Sequence, residues 1–543
     1  MTATSASEQG TDSALAPLRG KVFRMLWMAW LAANVTMWMN EVAAAWLMTS
    51  LTDSVVMVAL VQAASTLPVF VLGLPSGALA DIVDRRRYFA FTQLYVALIA
   101  LILGALAFTG LLTAHLLLAL TFANGIGMAM RWPVFAAIVP EIVPRAQLPA
   151  ALALNGIAMN MSRVIGPVVA GALLATAGSH YVFALNAVLA IIAFALILKW
   201  RSPPKTSVLP GERFFGAMRV GVQHVVQSPR MRVVLVRIFL FFLQSTSLTA
   251  LLPLIARDLH GGGPVTFTIL LSAMGGGAIF AALNLQRLRS RFDRDGLVRL
   301  GTCVHALSAV VVVLAPDLWL AVIAMAVAGM AWIATANSLT VAAQLSLPNW
   351  VRARGMSIYQ MALMGGGAAG AGLWGSVAGQ TSITTGICAA AVIGPLTLLL
   401  PGRLKLSRAA DQDMTPATVT TSAPEPEVDI EPTEGPVMVT VEYIIDPARA
   451  AEFDEIMQET RRARLRQGAL SWGLFRDAAQ PERYIEYFLD ENWIEHQRRL
   501  ERFTASDVGL REQRLAFHVG PEAPRVRRYI AEGERRKARG KHR

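Results

Sequence analysis

The stretch Gly77-Ala78-Leu79-Ala80-Asp81-Ile82-Val83-Asp84-Arg85-Arg86-Arg87 decides the fold of this 543-residue chain. It closes one apolar segment with three consecutive arginines and opens another. Positive charge of this kind marks the cytoplasmic side of a membrane helix. Working outward, the apolar stretches predict twelve spans of roughly bilayer-crossing length. They cover 22–49, 54–80, 88–110, 114–139, 150–177 and 180–199, then 232–256, 265–286, 297–315, 318–345, 354–378 and 383–400. Every second gap is basic. Beyond Arg85–Arg87, the gap after the sixth span holds Lys199, Arg201, Lys205, Arg213, Arg219 and Arg230. The gap after the eighth holds Arg287, Arg289, Arg291 and Arg294, and the gap after the tenth holds Arg352 and Arg354. The alternate gaps, near Asp53, Thr113, Ser179, Asp317 and Thr381, lack Lys and Arg; Arg257 is the one exception on that side. Both ends of the region are therefore expected in the cytoplasm, as in a multi-pass protein of a bacterial inner membrane.

Composition agrees. Hydrophobic residues make up 54% of the chain and charged residues 16%, against about 25% charged in soluble proteins. The net charge of +12 lies beside apolar spans, so anionic lipid headgroups are the expected partner and nucleic acid is not. The first eighteen residues lack the apolar core of a signal peptide. Cys303 and Cys388 fall inside spans, too few for a disulfide framework or zinc site. No P-loop exists, which argues against a self-contained ATP-driven pump. No catalytic residue, metal or cofactor is expected.

The spans form two like halves. Pro133 to Leu173 runs from a span end through Pro140, Pro144 and Arg145 into a Gly-rich span; Asn337 to Gly375 repeats that order with Pro348, Arg352 and Arg354. Parallel six-helix halves place a substrate site between them at mid-membrane. The expected organisation is a disordered tail at 1–21, a first half at 22–199, a cytoplasmic loop at 200–231 and a second half at 232–400. In the loop, Phe215, Met218, Val222 and Val225 share a helical face, expected to rest on the inner membrane surface or to be part of a solvated connector. A Pro/Thr/Glu-rich linker follows at 401–436, then a soluble cytoplasmic domain at 437–532 and a basic tail at 533–543. Alternation from Val437 to Tyr443, a cap at Asp446-Pro447 and further strand and helix patterns give β-α-β-β-α-β, the ferredoxin-like order.

The opening stretch closely resembles the cytoplasmic loop signature of the major facilitator superfamily, Gly-x-Leu-Ala-Asp-Arg-x-Gly-Arg-Lys/Arg. Here Ile82 replaces the first Arg and Asp84 the second Gly. The resemblance implies the major facilitator fold and assigns Gly77, Asp81, Asp84, Arg85 and Arg86 to a cytoplasmic latch. In the fifth span, Arg163-Val-Ile-Gly166-Pro167-Val-Val-Ala-Gly171 resembles the Gly-Pro motif of the exporter branches, Gly-Pro-x-x-Gly-Gly, with Ala170 in place of the first closing glycine. Stretches 40–52, 144–171 and 352–370 are similar to the branch typified by enterobactin (siderophore) exporters, which also contains drug exporters.

Ionisable residues inside a membrane are costly and commonly functional. Glu41 in the first span either carries a proton or reaches the outer interface. Arg163 in the fifth pairs with Glu41 or meets an acidic cargo. Arg131, near the inner end of the fourth, is expected to snorkel. Asn34, Asn124, Asn155, Asn160, Gln244, Asn337 and Gln360 are cavity candidates or interhelix glue. Trp38, Trp46 and Trp132 either line a cavity or anchor at the interface.

The C-terminal domain loosely resembles the small dimeric α/β-barrel proteins that include antibiotic-biosynthesis monooxygenases, through its first strand, "YIEYFLDENW" at 484–493 and the helix with His496. That implies either chemistry at Trp472, Trp493 or His496, or core aromatics and a surface His. The leading expectation is not an enzyme. It is a proton-coupled exporter of a small amphipathic molecule or siderophore. Broad multidrug efflux, a membrane-tethered monooxygenase-like enzyme and a sensor or self-associating module are the alternatives.

Overall fold

The computed structural model describes residues 15–144, 147–200, 214–259, 262–348, 350–399, 414–415, 417 and 429–532. Arg145, Arg201, Lys205, Arg213, most of the linker and the basic tail lie outside the described residues. The chain divides into two compact units. One comprises Met1–Gly211, Val236–Leu339 and Tyr359–Gly402; the other comprises Glu212–Leu235, Thr340–Ile358 and Arg403–Arg543.

Six long helices come first: α1 (Lys21–Leu51), α2 (Val55–Ile82), α3 (Arg85–Thr109), α4 (Ala114–Ile142), α5 (Leu148–Thr176) and α6 (Ser179–Lys199). After the short α7 (Phe214–Gln227) come six more: α8 (Pro229–Asp258), α9 (Pro264–Arg291), α10 (Arg294–Leu314), α11 (Leu318–Leu345), α12 (Arg352–Gln380) and α13 (Ile383–Thr397). Among the described residues, eight of these are long and apolar enough to cross a membrane. Of the expected twelve, α1, α4, α12 and α13 are not among them. Asn34, Asn40 and Glu41 interrupt α1, and Gln360 with a run of glycines dilutes α12. α13 is shorter than its expected span, with Pro395 in its last turn.

Small polar residues cap the starts of several helices. Ser54, Asp84, Thr113, Asp293 and Ser382 each accept a hydrogen bond from a first-turn backbone N–H. Each satisfies a donor that the helix itself cannot pair. Asp84 and Asp293 hold the same place in the two halves, capping the third helix of each.

Within the first unit, α1 packs on α5 and α6, α2 on α4, and α3 on α4 and α6. Trp30 of α1 stacks on Phe135 of α4 with centroids 3.9 Å apart. The halves meet at two seams. At one, α5 packs on α9. At the other, Gly375 of α12 lies against Ala59 of α2. Each seam joins the second helix of one half to the fifth helix of the other, the exchange expected of two like halves related by a pseudo-two-fold axis.

The second unit contains a four-stranded antiparallel sheet of order β2-β3-β1-β4. Its strands are β1 (Val437–Ile444), β2 (Ser471–Arg476), β3 (Arg483–Asp490) and β4 (Arg525–Ile530). β1 pairs with β3 from Val437↔Asp490 to Ile444↔Arg483, and with β4 from Val437↔Ile530 to Glu442↔Arg525. Residues Val437, Val439, Val441 and Tyr443 are buried while their alternates are half-buried. α14 (Ala450–Arg466), α15 (Trp493–Glu501) and α16 (Ala505–Leu515) complete the domain. The sequence pattern foresaw one helix between β3 and β4; a capping box at Thr504 and Asp507 starts a second.

α7 belongs to this unit. Its buried positions are Val220, Gly221, His224 and Val225, while Val222 is exposed. The face expected to meet lipid shares only Val225 with that set, and the Phe215 side chain lies outside the described residues. Polar residues turn α7 toward the domain. Gln223 Nε2 donates to the Ala469 carbonyl at 2.6 Å, and His224 Nδ1 lies 3.2 Å from the Arg466 carbonyl.

Candidate functional site

One charged cluster of the helical unit lies where the halves meet. Arg163 of α5 places its guanidinium 5.2 Å from the Trp38 ring centroid of α1 and 4.6 Å from that of Trp332 on α11. One cation thus lies against an indole from each half, a geometry worth about 2 kcal/mol or more per contact when desolvated. The Glu41 carboxyl faces both Gln62 of α2 and the Arg163 guanidinium. All five side chains are half-buried. Sequence reading named Glu41, Arg163 and Trp38; it missed Gln62 and Trp332. A Trp in an apolar span carries no local signal of the helix it faces.

The Gly-Pro motif explains how α5 comes so close. A Cβ at Gly166 would lie 2.5 Å from the Trp38 Cβ, and one at Gly171 would overlap Thr268 Oγ1 of α9. Gly166 therefore fixes α5 against α1, and Gly171 fixes it against the other half. Pro167 lies within α5.

Arg131 does not snorkel. It is 1% exposed and donates from Nη1 to the Ala33 carbonyl at 2.8 Å. Thr36, Asn40, Asn124, Asn186 and Arg131, together with the apolar Met37, Val96, Ala100 and Met128, line a small chamber inside the first half. Of the polar cavity candidates, this brings Asn124 alone to the chamber. Asn34 and Asn160 turn back onto their own helices, donating to the Trp30 and Gly156 carbonyls at 2.7 and 2.9 Å. Asn155 Oδ1 is buried without a hydrogen-bond partner. Gln244 is buried against Gly394 of α13. Asn337 and Gln360 are half-buried on α11 and α12. Trp46 stacks near Phe267 of α9 at 6.1 Å, and Trp132 meets Trp30 edge-on at 6.4 Å.

At the α2–α3 junction, Gly77 and Asp81 lie in the last turns of α2, and the Asp81 side chain is outside the described residues. Asp84 caps α3, accepting from Arg87 N at 2.8 Å. Arg85 opens α3, and Arg86 donates to the Leu198 carbonyl at the end of α6, where a cation complements the helix dipole. A further pair escaped sequence reading: Arg237 Nη1 lies 2.6 Å from Asp295 Oδ1 in the first turn of α10.

In the second unit, polar groups are buried in pairs. Glu486 accepts from Arg464 Nε at 2.9 Å, Trp472 Nε1 at 3.1 Å and the Tyr443 hydroxyl at 3.0 Å. Burial alone would raise its carboxyl, but the Arg464 and Arg514 charges and those hydrogen bonds bring its pKa down to about 2. His496 is buried rather than at the surface, with Nδ1 2.7 Å from Asp490 Oδ2. Arg499 Nε also reaches Asp490, at 3.0 Å. Desolvation lowers the His496 pKa despite that carboxylate. Trp472 and Trp493 pack on the small cluster formed by Val437, Val439, Ala469 and Phe488. Among the described residues no group of three or more His, Cys, Asp or Glu is placed to hold a metal ion.

The helical bundle with its paired seams, the capped basic loops and the packing of α5 together define a transporter-type architecture. Over residues 12–537 the chain matches the transmembrane secretion effector family of the major facilitator superfamily, and it belongs to that family. It is 24% identical over 265 residues to the macrolide efflux protein A of Streptococcus pyogenes, covering 48% of this chain and 65% of that relative. It is likewise 24% identical over 254 residues to the staphyloferrin A transporter of Staphylococcus aureus, covering 46% and 63%. The chain thus spans just under two-thirds of the length of these curated relatives. Its fold resembles the inward-facing, unoccupied structure of a bacterial homolog of the human lysosomal transporter Spinster, with a TM-score of 0.57 at 14% identity over 72% of this chain and 98% of that one. The nucleoside transporter NupG is similar at TM-score 0.55 and 14% identity, covering 70% and 98%.

Proposed function

We propose that this chain is a secondary active exporter that moves a small amphipathic or acidic, siderophore-like molecule out of the cell in exchange for protons. In this reading all twelve long helices cross the membrane, both termini are cytoplasmic and cargo binds between the halves. The observation that carries it is Arg163, held between Trp38 and Trp332. A cation flanked by two indoles from opposite halves suits a flat or acidic cargo, and it changes environment whenever the halves move. Glu41 is the proton carrier, because loss of its charge releases Arg163 to meet the cargo. The name of the macrolide efflux relative supports the outward direction. Asp81 and Arg85 serve as the cytoplasmic latch. The C-terminal domain, with its β-α-β-β-α-α-β order, is a ferredoxin-like accessory module that holds α7 and is a candidate for self-association.

The test is accumulation of a fluorescent amphipathic dye in cells expressing the full chain, Arg163→Ala or Asp81→Asn. Lower accumulation with the full chain, lost in both variants and on collapse of the proton gradient, supports the reading. Efflux that survives gradient collapse removes proton coupling. Efflux unchanged in Arg163→Ala removes the proposed site.

A further inference from the structure

Arg131 is a buried cation within the first half, and the exporter reading gives it no role. Besides Ala33, its Nη2 approaches Met37 Sδ at 3.8 Å and its Cζ lies 5.6 Å from the Trp30 ring centroid. Its Nε has no hydrogen-bond partner. None of these neighbours is anionic, and Arg131 enters no ion pair among the described residues. A guanidinium inside a membrane bundle is normally paired, since leaving a charge uncompensated in an apolar setting is costly.

The chamber beside it supplies what an anion needs. Asn186 of α6 is 2% exposed, and both of its amide atoms lack partners. Asn40, Asn124 and Thr36 add further polar groups, and no carboxylate lines the space. Amide N–H groups beside an uncompensated guanidinium attract an anion and repel a cation. The lining comes from α1, α3, α4 and α6, all in the first half, so this chamber is distinct from the Arg163 position between the halves.

We propose that this chamber binds one small monovalent anionic group, a chloride ion or a carboxylate, with Arg131 supplying the charge and Asn124 and Asn186 the hydrogen bonds. A free anion and the carboxylate of a cargo share this chemistry, and the experiment separates them.

The full-length protein, in lipid nanodiscs, is titrated with chloride and separately with acetate against gluconate at constant ionic strength, and its unfolding midpoint is followed. A saturable rise is expected, because a ligand that binds only the folded state stabilises it. Arg131→Gln weakens the apparent affinity by about tenfold or more, the loss of one charge-assisted contact, while Arg131→Lys retains most of it. A response to chloride identifies a free ion; a response to acetate alone identifies a carboxylate-bearing cargo. If Arg131→Gln does not fold, Asn186→Leu with Arg131 intact must still lose the response. No saturable response to either anion, or a wild-type response in Arg131→Gln or Asn186→Leu, overturns the proposal and leaves Arg131 as a structural tie to Ala33.

Discussion

Arg219 Nη2 on α7 donates to Glu491 Oε2, just beyond β3, at 2.7 Å. The pair ties the helix that connects the two six-helix sets to the C-terminal sheet domain. Both side chains are about one-third exposed, so solvent weakens the bond. A double-mutant cycle of Arg219→Ala and Glu491→Ala is expected to give a coupling of about 0.5 kcal/mol, read from protease protection of α7. No measurable coupling would assign the attachment to Gln223, His224 and Val220 alone.

His224 makes that attachment pH-sensitive. Burial, with the nearby Arg466 charge, pushes its pKa down to about 3. The folded state therefore keeps the ring neutral while the unfolded chain takes a proton at the ordinary value near 6.5. Stability from this group is complete above that value and falls as pH drops toward the folded pKa. By about pH 5 the loss amounts to roughly 2 kcal/mol. Protease exposure of α7 is expected to rise between neutral pH and about pH 5, and His224→Phe should flatten the profile. A profile unchanged by that substitution would exclude His224 as the sensor.

Glu486 gives a second, lower window. Its folded pKa of about 2 lies below the ordinary carboxylate value, so its contribution holds above that value and fades as pH falls through it. Glu486→Gln removes the carboxylate that faces both Arg464 and Arg514. A loss of about 3 kcal/mol of domain stability is expected, measured by thermal melting of the full protein. A melt within error of wild type would mean that the arginines find water or another partner.

The α5–α9 seam predicts a rescue. Gly171→Ala drives a methyl into Thr268, whose Cβ lies only 2.5 Å from the new atom. The helices must separate, and dye efflux should fall by about tenfold or more, consistent with a cost of 1–3 kcal/mol for overpacking. Thr268→Gly in the same chain should restore part of it. Absence of any rescue would place the defect elsewhere in α5.

Glu41→Gln tests proton exchange. If Glu41 carries the proton, the variant loses gradient-driven efflux but still exchanges cargo down its own gradient. Loss of both activities would point instead to a structural role beside Gln62 and Arg163.

Much of the helical layout was legible because loop charge and apolar length act locally. Arg85–Arg87 mark the end of α2 whatever the rest of the chain does, and Ser54, Thr113 and Asp317 fall where helices begin. What escaped depends on helix rotation. The chain around Arg131 looks like an inner-end arginine, yet its side chain turns inward to Ala33. The apolar stripe of α7 suggested lipid, but Arg219, Gln223 and His224 find hydrogen-bond partners on the sheet domain. Asp84 occupies a latch motif by resemblance and acts in the structure as the cap of α3. Trp332, which completes the cluster at Arg163, lies 169 positions beyond it, and nothing in its own span marks it.

The two seams between the halves have a consequence for variation in this chain. Each joins helices of the same pair of ranks, so by the pseudo-symmetry a change at one seam has the same kind of effect as the matching change at the other. A side chain added at Gly171 or removed at Ala59 changes how closely the halves approach without touching Arg163, Trp38 or Trp332. Seam substitutions should behave as general gain controls, raising or lowering export of every cargo in the same proportion.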